Sequence, residues 1–361
     1  MRLAFVIFFL IFITVYGSAH WPLHHLMTRT FALASPWTHW VKAVFALSGS
    51  LFFLVRFTPL DWKPLAWWAD TWFGVVFIAF TFWLVQVIPA LIWKPHARAF
   101  DAMALAITAL VSVISLAHNV LPPRPKSIHL AIPGAPSMKV VQLSDIHLNR
   151  WTSMTGLERV VENTLAANPD LIVITGDLVD ERDGSLDFLL PSLQRLRAPL
   201  GVYAIPGNHE FYTGIQRAAD LLQKAGIRFL RNESVGLPNG WILAGLDDPA
   251  AYEMGLAASK PEEFFKALPK GKPIVLMNHR PLDWESARRA GVKLQLSGHL
   301  HAGQIPPMDA IVFAGFKYPY GLYQKDGDFL YTTSGTGFWG PPMRFIVGAE
   351  IPVFNINKRE S

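Results

Sequence analysis

Two histidines stand two residues apart, His299 and His301, in the stretch LSGHLHAGQI, with Gly298 before them and Gly303 after. A carboxylate and an imidazole share that spacing upstream, as Asp145 and His147 in QLSDIHLN. Asp177 follows a glycine in VITGDLVD, Asn208 and His209 follow another in IPGNHEFY, and His279 closes VLMNH. Carboxylate, carboxamide and imidazole donors without thiolate suit first-row divalent ions such as Mn, Fe, Zn, Ni or Co. The chain has no cysteine, which excludes thiolate zinc sites and disulfides. In extended backbone the side chains at i and i+2 point to one side, so each pair is expected to grip one ion or to span two. A single ion takes about four ligands. Asp145, His147, Asp177, Asn208, His279, His299 and His301 make seven, enough for two ions if a carboxylate is shared. Two ions roughly 3.5–4 Å apart form the usual clamp for phosphate ester hydrolysis. His209 is left over, and suits a general acid or a charge stabiliser at the phosphoryl group.

Each of these groups follows a short apolar run. Val140–Leu143, Leu171–Ile174, Val202–Ile205, Ile274–Met277 and Lys293–Leu296 read as strands. Helical patterns follow the first four, at about 155–167, 185–196, 213–225 and 283–290. Strand–helix alternation predicts an α/β domain with at least part of its sheet parallel. Ligands in such domains gather at the carboxyl ends of the strands. All five histidines after His129 fall just past a strand, a placement that scattered surface polarity would not produce. Asp145, Asp177 and Asn208 taken singly could be helix N-caps, but capping does not account for the histidines beside them. Asp180, Glu181 and Asp183 read as solvated loop charges, whereas Asn149, Arg150 and Glu210 border the site. Arg280 is expected to meet substrate phosphate, and Gln304 and Arg344 could act similarly or simply pair on the surface. Phe338, Trp339 and Phe345 read as packed core sooner than as a wall for lipid.

The first third of the chain is different. Of 361 residues, 51% are hydrophobic, and residues 1–121 hold seven basic and three acidic residues. The rest holds 25 basic and 24 acidic, by subtraction from 32 and 27, so the net charge of +5 belongs almost wholly to the first third. A membrane span needs roughly 20 mainly apolar residues. Four candidates occur, at Leu3–Ala19, Trp37–Phe57, about Trp67–Trp93 and about Phe100–Leu121, with KPHAR as a short turn before the last. The first could also be a signal peptide. His20, His24 and His25 are expected in a polar loop after it, and Asp70 and Asp101 near span ends within reach of water. Basic residues lean weakly toward a cytoplasmic C-terminal domain. Residues 1–121 are therefore expected to form a helical membrane anchor, 122–137 a proline-rich linker and 138–357 the soluble α/β domain. The balanced charge of the last part disfavours nucleic acid as a partner.

The blocks DIH, GD, GNHE, NH before Arg280 and GHLH, in this order and spacing, resemble the calcineurin-like metallophosphoesterases over about Met138–Asn357. The segments GHLHAGQI and SGTGFWGPPMRF also look like the membrane-anchored branch of that family, some members of which are UDP-2,3-diacylglucosamine pyrophosphohydrolases. Ala302 departs from that branch, which often has a second glycine there. The resemblance implies a four-layer αββα sandwich with a dinuclear site at one edge. It implies that Asp145, His147, Asp177 and His301 hold one metal, that Asp177 bridges, and that Asn208, His279 and His299 complete the other. It further implies that His209 acts on the leaving group or the phosphoryl oxygens, and that a metal-bridging hydroxide attacks. Manganese is the first choice of ion. The function expected is a multi-pass, membrane-bound phosphohydrolase of a bacterial-type inner membrane, acting on a phosphoester or pyrophosphate that is lipid- or nucleotide-linked. The alternative is a non-catalytic metal-binding or scaffold module at the membrane.

Overall fold

The computed structural model describes residues 2–58, 62–149, 151–181, 185–256 and 260–359; Arg150 and Asp183, weighed above, lie outside them. The chain divides into two compact units.

One unit comprises Met1–Leu121 together with Gly303–Ile311 and Gly340–Ile346. Its helices are α1 (Arg2–Thr30), α2 (Trp37–Phe57), α3 (Lys63–Ile92) and α4 (Ala97–Val120), with a 3-10 turn at Lys94–His96 before the last. Among the described residues three helices are long and apolar enough to cross a membrane, Trp37–Phe57, Lys63–Ile92 and Lys94–Val120. The fourth expected span falls within α1, a single helix of 29 residues that runs on past Ala19. His20, His24 and His25 therefore lie on a helix and not in a loop. Helix continuation leaves no backbone polar group exposed, and the ring of His20 gains a partner, accepting from Trp72 Nε1 at 3.0 Å. Asp101 is also not at the water. It is 1% exposed, with Arg29 Nε at 2.9 Å and Gln86 Nε2 donating at 3.1 Å. Buried charge requires such pairing.

The two short segments from late in the chain are built into this unit. Ile305 and Met343 pack with Ile78 and Val111. Gln304 Nε2 donates to Pro341 O at 2.9 Å, Arg344 N to Ser115 O at 2.9 Å, and His118 Nδ1 lies 3.1 Å from the carbonyls of Arg344 and Phe345. Gln304 and Arg344 are thus buried and not on the surface. Gly74 sits where any side chain would collide with Met343, so its lack of a Cβ lets that side chain seat against α3.

The other unit comprises Pro122–Ala302, Val312–Trp339 and Val347–Ser361. Its strands are β1 (Arg124–Pro133), β2 (Met138–Leu143), β3 (Leu171–Thr175), β4 (Val202–Ile205), β5 (Arg228–Phe229), β6 (Glu233–Gly236), β7 (Ile242–Leu246), β8 (Ile274–Asn278), β9 (Val292–Ser297), β10 (Gly321–Lys325), β11 (Asp328–Thr332) and β12 (Glu350–Arg359). They form two six-stranded sheets, ordered β1-β12-β2-β3-β4-β5 and β10-β11-β9-β8-β7-β6. β2, β3 and β4 run parallel, as do β7, β8, β9 and β11, while β12 runs antiparallel to β2. Val140, Leu171, Val173 and Phe354 of the first sheet meet Val275, Met277, Leu294 and Phe329 of the second in one apolar layer. The outer face of the first sheet packs on Leu157, Val160 and Val161 of the helix Met154–Ala166, and that of the second on Phe264, Phe265 and Ala287. This is the expected αββα arrangement. Face-to-face burial of two sheets explains why β3 and β8 are apolar on both sides and lack alternation.

The proline-rich segment does not behave as a linker. Arg124–Pro133 is β1, paired in parallel with β12 along its whole length. Proline is tolerated there because β1 is an edge strand, with one row of backbone groups unpaired.

Candidate metal centre

The seven candidate ligands follow the ends of β2, β3, β4, β8 and β9, most of them on loops, with Asn208 opening the helix Asn208–Thr213 and His301 a 3-10 turn. Parallel pairing carries on past the strand ends: Asp145 N donates to Gly176 O at 3.0 Å and His147 N to Asp177 O at 3.0 Å. The backbone there is not extended. Asp145, His147, Asp177, His299 and His301 all have φ between 50° and 71°. The expectation that i and i+2 side chains align through a strand is therefore wrong in its cause. These residues adopt the left-handed region, which non-glycine residues occupy at a cost. Each such turn swings its side chain toward one point.

Glycines make room at that point. A Cβ on Gly207 would strike the Asp177 carboxylate, and a Cβ on Gly298 would strike Asp145 Oδ2 and Ser144 Oγ. Backbone donors fix the same carboxylates: His299 N donates to Asp145 Oδ1 at 3.0 Å and His209 N to Asp177 Oδ1 at 2.9 Å. Glu210, which borders the site, is 1% exposed and accepts from the backbone N–H of Asp177, Val179 and Gly207 at 3.0, 2.8 and 2.7 Å. It ties the β3 loop to the β4 loop.

Among the described residues three groups present ligand atoms within 4.8 Å of one another: Asp145, His147 and His301; His147, Asp177 and His209; Asp177, His279 and His299. Nε2 of His147 lies 3.2 Å from Nε2 of His301, which is 3.5 Å from Asp145 Oδ1. Asp177 Oδ2 lies 3.9 Å from His147 Nε2 and 3.2 Å from His279 Nε2, between the two ends of the cluster. His279 Nδ1 is 2.8 Å from Thr175 O, where it donates and leaves Nε2 facing Asp177. Such a contact fixes the tautomer of a metal-binding imidazole. Asn208 Oδ1 is buried and has no hydrogen-bond partner among the described residues. A buried carbonyl oxygen without a donor is costly. Together with facing imidazole nitrogens it fits divalent cations.

The electrostatics agree with competition between protons and cations for these atoms. Burial opposes charge on His279, but the carboxylate of Asp177 outweighs it and pushes the group up to about 10. Asp177 is held well below the usual carboxylate range, burial being overcome by His279. Burial, with the charges of His279 and Arg280, drives His299 down to about 3 and keeps it neutral. His209 is pushed up to about 9: burial opposes, and a hydrogen bond to Asp180 with the charge of Asp177 prevails.

Sequence reasoning misplaced both Glu181, which is 4% exposed, and Asp180. Asp180 is not a solvated loop charge; its Oδ1 is 2.8 Å from His209 Nδ1 and its Oδ2 is 3.6 Å from His147 Nδ1. Only the three-residue distance from Asp177 hinted at this. Arg280 is committed to Asp248, to which Nε and Nη2 donate at 2.8 and 3.0 Å. Asp248, 0% exposed, was not anticipated. Phe338 and Trp339 are exposed and do not belong to a packed core, and the ring of Trp339 lies 5.9 Å from that of His209.

Fold and site together define an αββα protein with an Asp/His cluster able to hold metal ions. The calcineurin-like phosphoesterase family model matches residues 138–303. An uncharacterised metallophosphoesterase of Aquifex aeolicus is 32% identical over 234 residues, covering 62% of this chain and 87% of that protein. An uncharacterised metallophosphoesterase of Campylobacter jejuni is 28% identical over 378 residues, covering 99% of this chain and 100% of that protein. A transmembrane protein with metallophosphoesterase domain from Bos taurus is 33% identical over 269 residues, 69% of this chain and 61% of that one. The chain belongs to the calcineurin-like metallophosphoesterases.

Proposed function

We propose that the protein is a membrane-bound phosphohydrolase that uses two divalent ions, manganese first among them, to hydrolyse a phosphoester or pyrophosphate. The observation that carries the reading is the placement of Asp177 between two groups of Asp and His ligands. In this reading Asp145, His147 and His301 hold one ion, His279, His299 and Asn208 the other, and Asp177 is shared. Bound there, the ions would polarise a phosphoryl oxygen and make a water-derived nucleophile available near neutral pH. The protein's own part is positioning and proton transfer. His209, kept protonated by Asp180, donates toward the phosphoryl oxygens or the leaving group. Glu210 and the glycines at 207 and 298 hold the ligand loops in their left-handed turns. Burial excludes water and strengthens each of these interactions.

The apolar helices support a substrate that is lipid-linked or otherwise met at a bilayer and a multi-pass location in a bacterial-type inner membrane, and the flanking basic residues lean weakly toward an α/β unit in the cytoplasm. A purely metal-binding or scaffold module is the weaker reading, because the His209–Asp180 pair supplies a proton donor that such a module would not need.

The test uses the full chain in detergent, stripped and reloaded with Mn. Two ions per chain and turnover of p-nitrophenyl phosphate esters are expected. Asp177→Asn should lower kcat at least about 100-fold, as expected when a shared ligand is lost. Two bound ions with no turnover on monoesters, diesters or a nucleotide-linked pyrophosphate would refute the hydrolase and leave the scaffold.

A further inference from the structure

A cleft of about 400 Å³ opens from His299 in the α/β unit. Its walls include Leu282, Trp284, Leu300 and Phe316, and Lys317 stands at it. This volume lies within the range of small-molecule sites. Leu282 is 44% and Phe316 45% exposed, apolar surface that a folded domain would ordinarily cover. The charges around it are unequal in availability. Arg280 is taken by Asp248, and Glu285 is paired with both Lys325 and Arg288. Lys317 has no carboxylate partner among the described residues; its ammonium lies 5.0 Å from the ring of Tyr318. Asp283 also lines the cleft and is exposed, so its carboxylate offsets Lys317 and what the cleft chiefly presents is an apolar wall.

Its position decides what it can receive. His299 stands with His279, ring centroids 5.1 Å apart, whereas His209 stands with His147 at 4.8 Å. The proton donor His209, with Tyr212 and Trp339, does not line the cleft. When a phosphoester is hydrolysed, water adds to phosphorus, the P–O bond to the leaving alcohol breaks, and that alcohol departs with a proton. The leaving group thus belongs beside His209. Any second substituent stays on phosphorus and must lie elsewhere.

We infer that the cleft holds the retained substituent of the substrate, and that the substrate is a disubstituted phosphate whose retained group is apolar. This rests on the hydrolase reading above and adds the substrate class to it. A monoester has no group to fill the cleft.

The experiment compares p-nitrophenyl phenylphosphonate with p-nitrophenyl methylphosphonate on the Mn-loaded full chain. Both share one leaving group and differ only in the retained one. The phenyl ester is expected to have a kcat/KM at least about 10-fold higher, since even a single methylene in an apolar pocket is worth about that much. Leu282→Trp, which fills the cleft, and Phe316→Ser, which removes a wall, should each pull the ratio toward one. A ratio near one in the unmodified protein, or one unchanged by both wall variants, overturns the inference. Calorimetric binding of phenylphosphonate against methylphosphonate reads the cleft without turnover. If neither ester is hydrolysed, the hydrolase reading fails; tighter phenyl binding weakened by Leu282→Trp would still uphold the cleft, and equal binding would overturn it.

Discussion

Five of the candidate ligands are non-glycine residues with positive φ. The cost of holding each there, of order 1–3 kcal/mol, is sustained because the surrounding backbone pairing leaves no alternative. The residue types were legible in the sequence; their backbone states were not, because they arise from loops meeting after the sheets have formed. Asp180 shows the same limit. Nothing in LVDERD separates a carboxylate that turns inward from one that faces water. Its contact with His209 leads to a prediction. His209 must be protonated to donate, and Asp180 holds its proton up to about 9. A raised histidine keeps its proton below that value and loses it as pH rises through it. Asp180→Asn should therefore move the alkaline fall of kcat to lower pH and reduce kcat about 10- to 100-fold, with two ions still bound. A pH profile with metal analysis on the same sample checks it; an unmoved alkaline limb would show that His209 does not depend on Asp180.

At the scale of elements, the strands that carry ligands were the readable ones. β3, β4 and β8 are continuous apolar runs ended by polar chemistry, a signature of buried parallel strands, and β2 and β9 are largely apolar with a Lys and a Gln inside each. β1 was hidden by its prolines, and its partner β12 lies more than two hundred residues away in sequence. No local pattern reports such a pairing. The helical patterns were legible as well, but 213–225 resolves into two helices, Asn208–Thr213 and Ile215–Lys224, broken at Gly214 with φ 115°. The glycines before the ligands have a cause that only the packed elements show. Gly298 closes β9 against the Asp145 carboxylate, so Gly298→Ala must push either the carboxylate or the His299 turn aside. Overpacking of this kind costs about 1–3 kcal/mol. The expected result is a folded protein whose thermal midpoint drops by a few degrees and whose affinity for Mn falls about 10-fold or more at the group containing Asp145. Metal titration followed by calorimetry measures both. Full affinity with unchanged stability would mean the loop has slack that the geometry denies.

At the scale of the whole molecule, sequence order and structural membership part company. Composition places the boundary near residue 121, and the helical unit does begin with those residues, but it also contains Gly303–Ile311 and Gly340–Ile346. Composition averages over long windows, and segments of nine and seven residues escape it. The first begins one residue after Ala302, hence two after His301, and the second directly follows Trp339. Within the helical unit these segments bury Ile305, Met343 and Arg344. A chain cut to start at Pro122 would expose them to water. Burying Ile305 and Met343 contributes about 1.5–3 kcal/mol each, and that stabilisation is lost when water reaches them. The segment that continues from His301 would then lose its order, and a ligand needs ordered support to hold an ion. The truncated protein is thus expected to bind fewer than two Mn ions per chain and to lose at least about 10-fold in kcat relative to the full chain in detergent. Equal metal content and equal kcat in the truncated and full-length proteins would reduce the helices to a tether. A loss reproduced in the full chain by His118→Ala together with Met343→Ala would trace it to the seating of these two segments, because neither residue is near a ligand in sequence and both pack inside the helical unit.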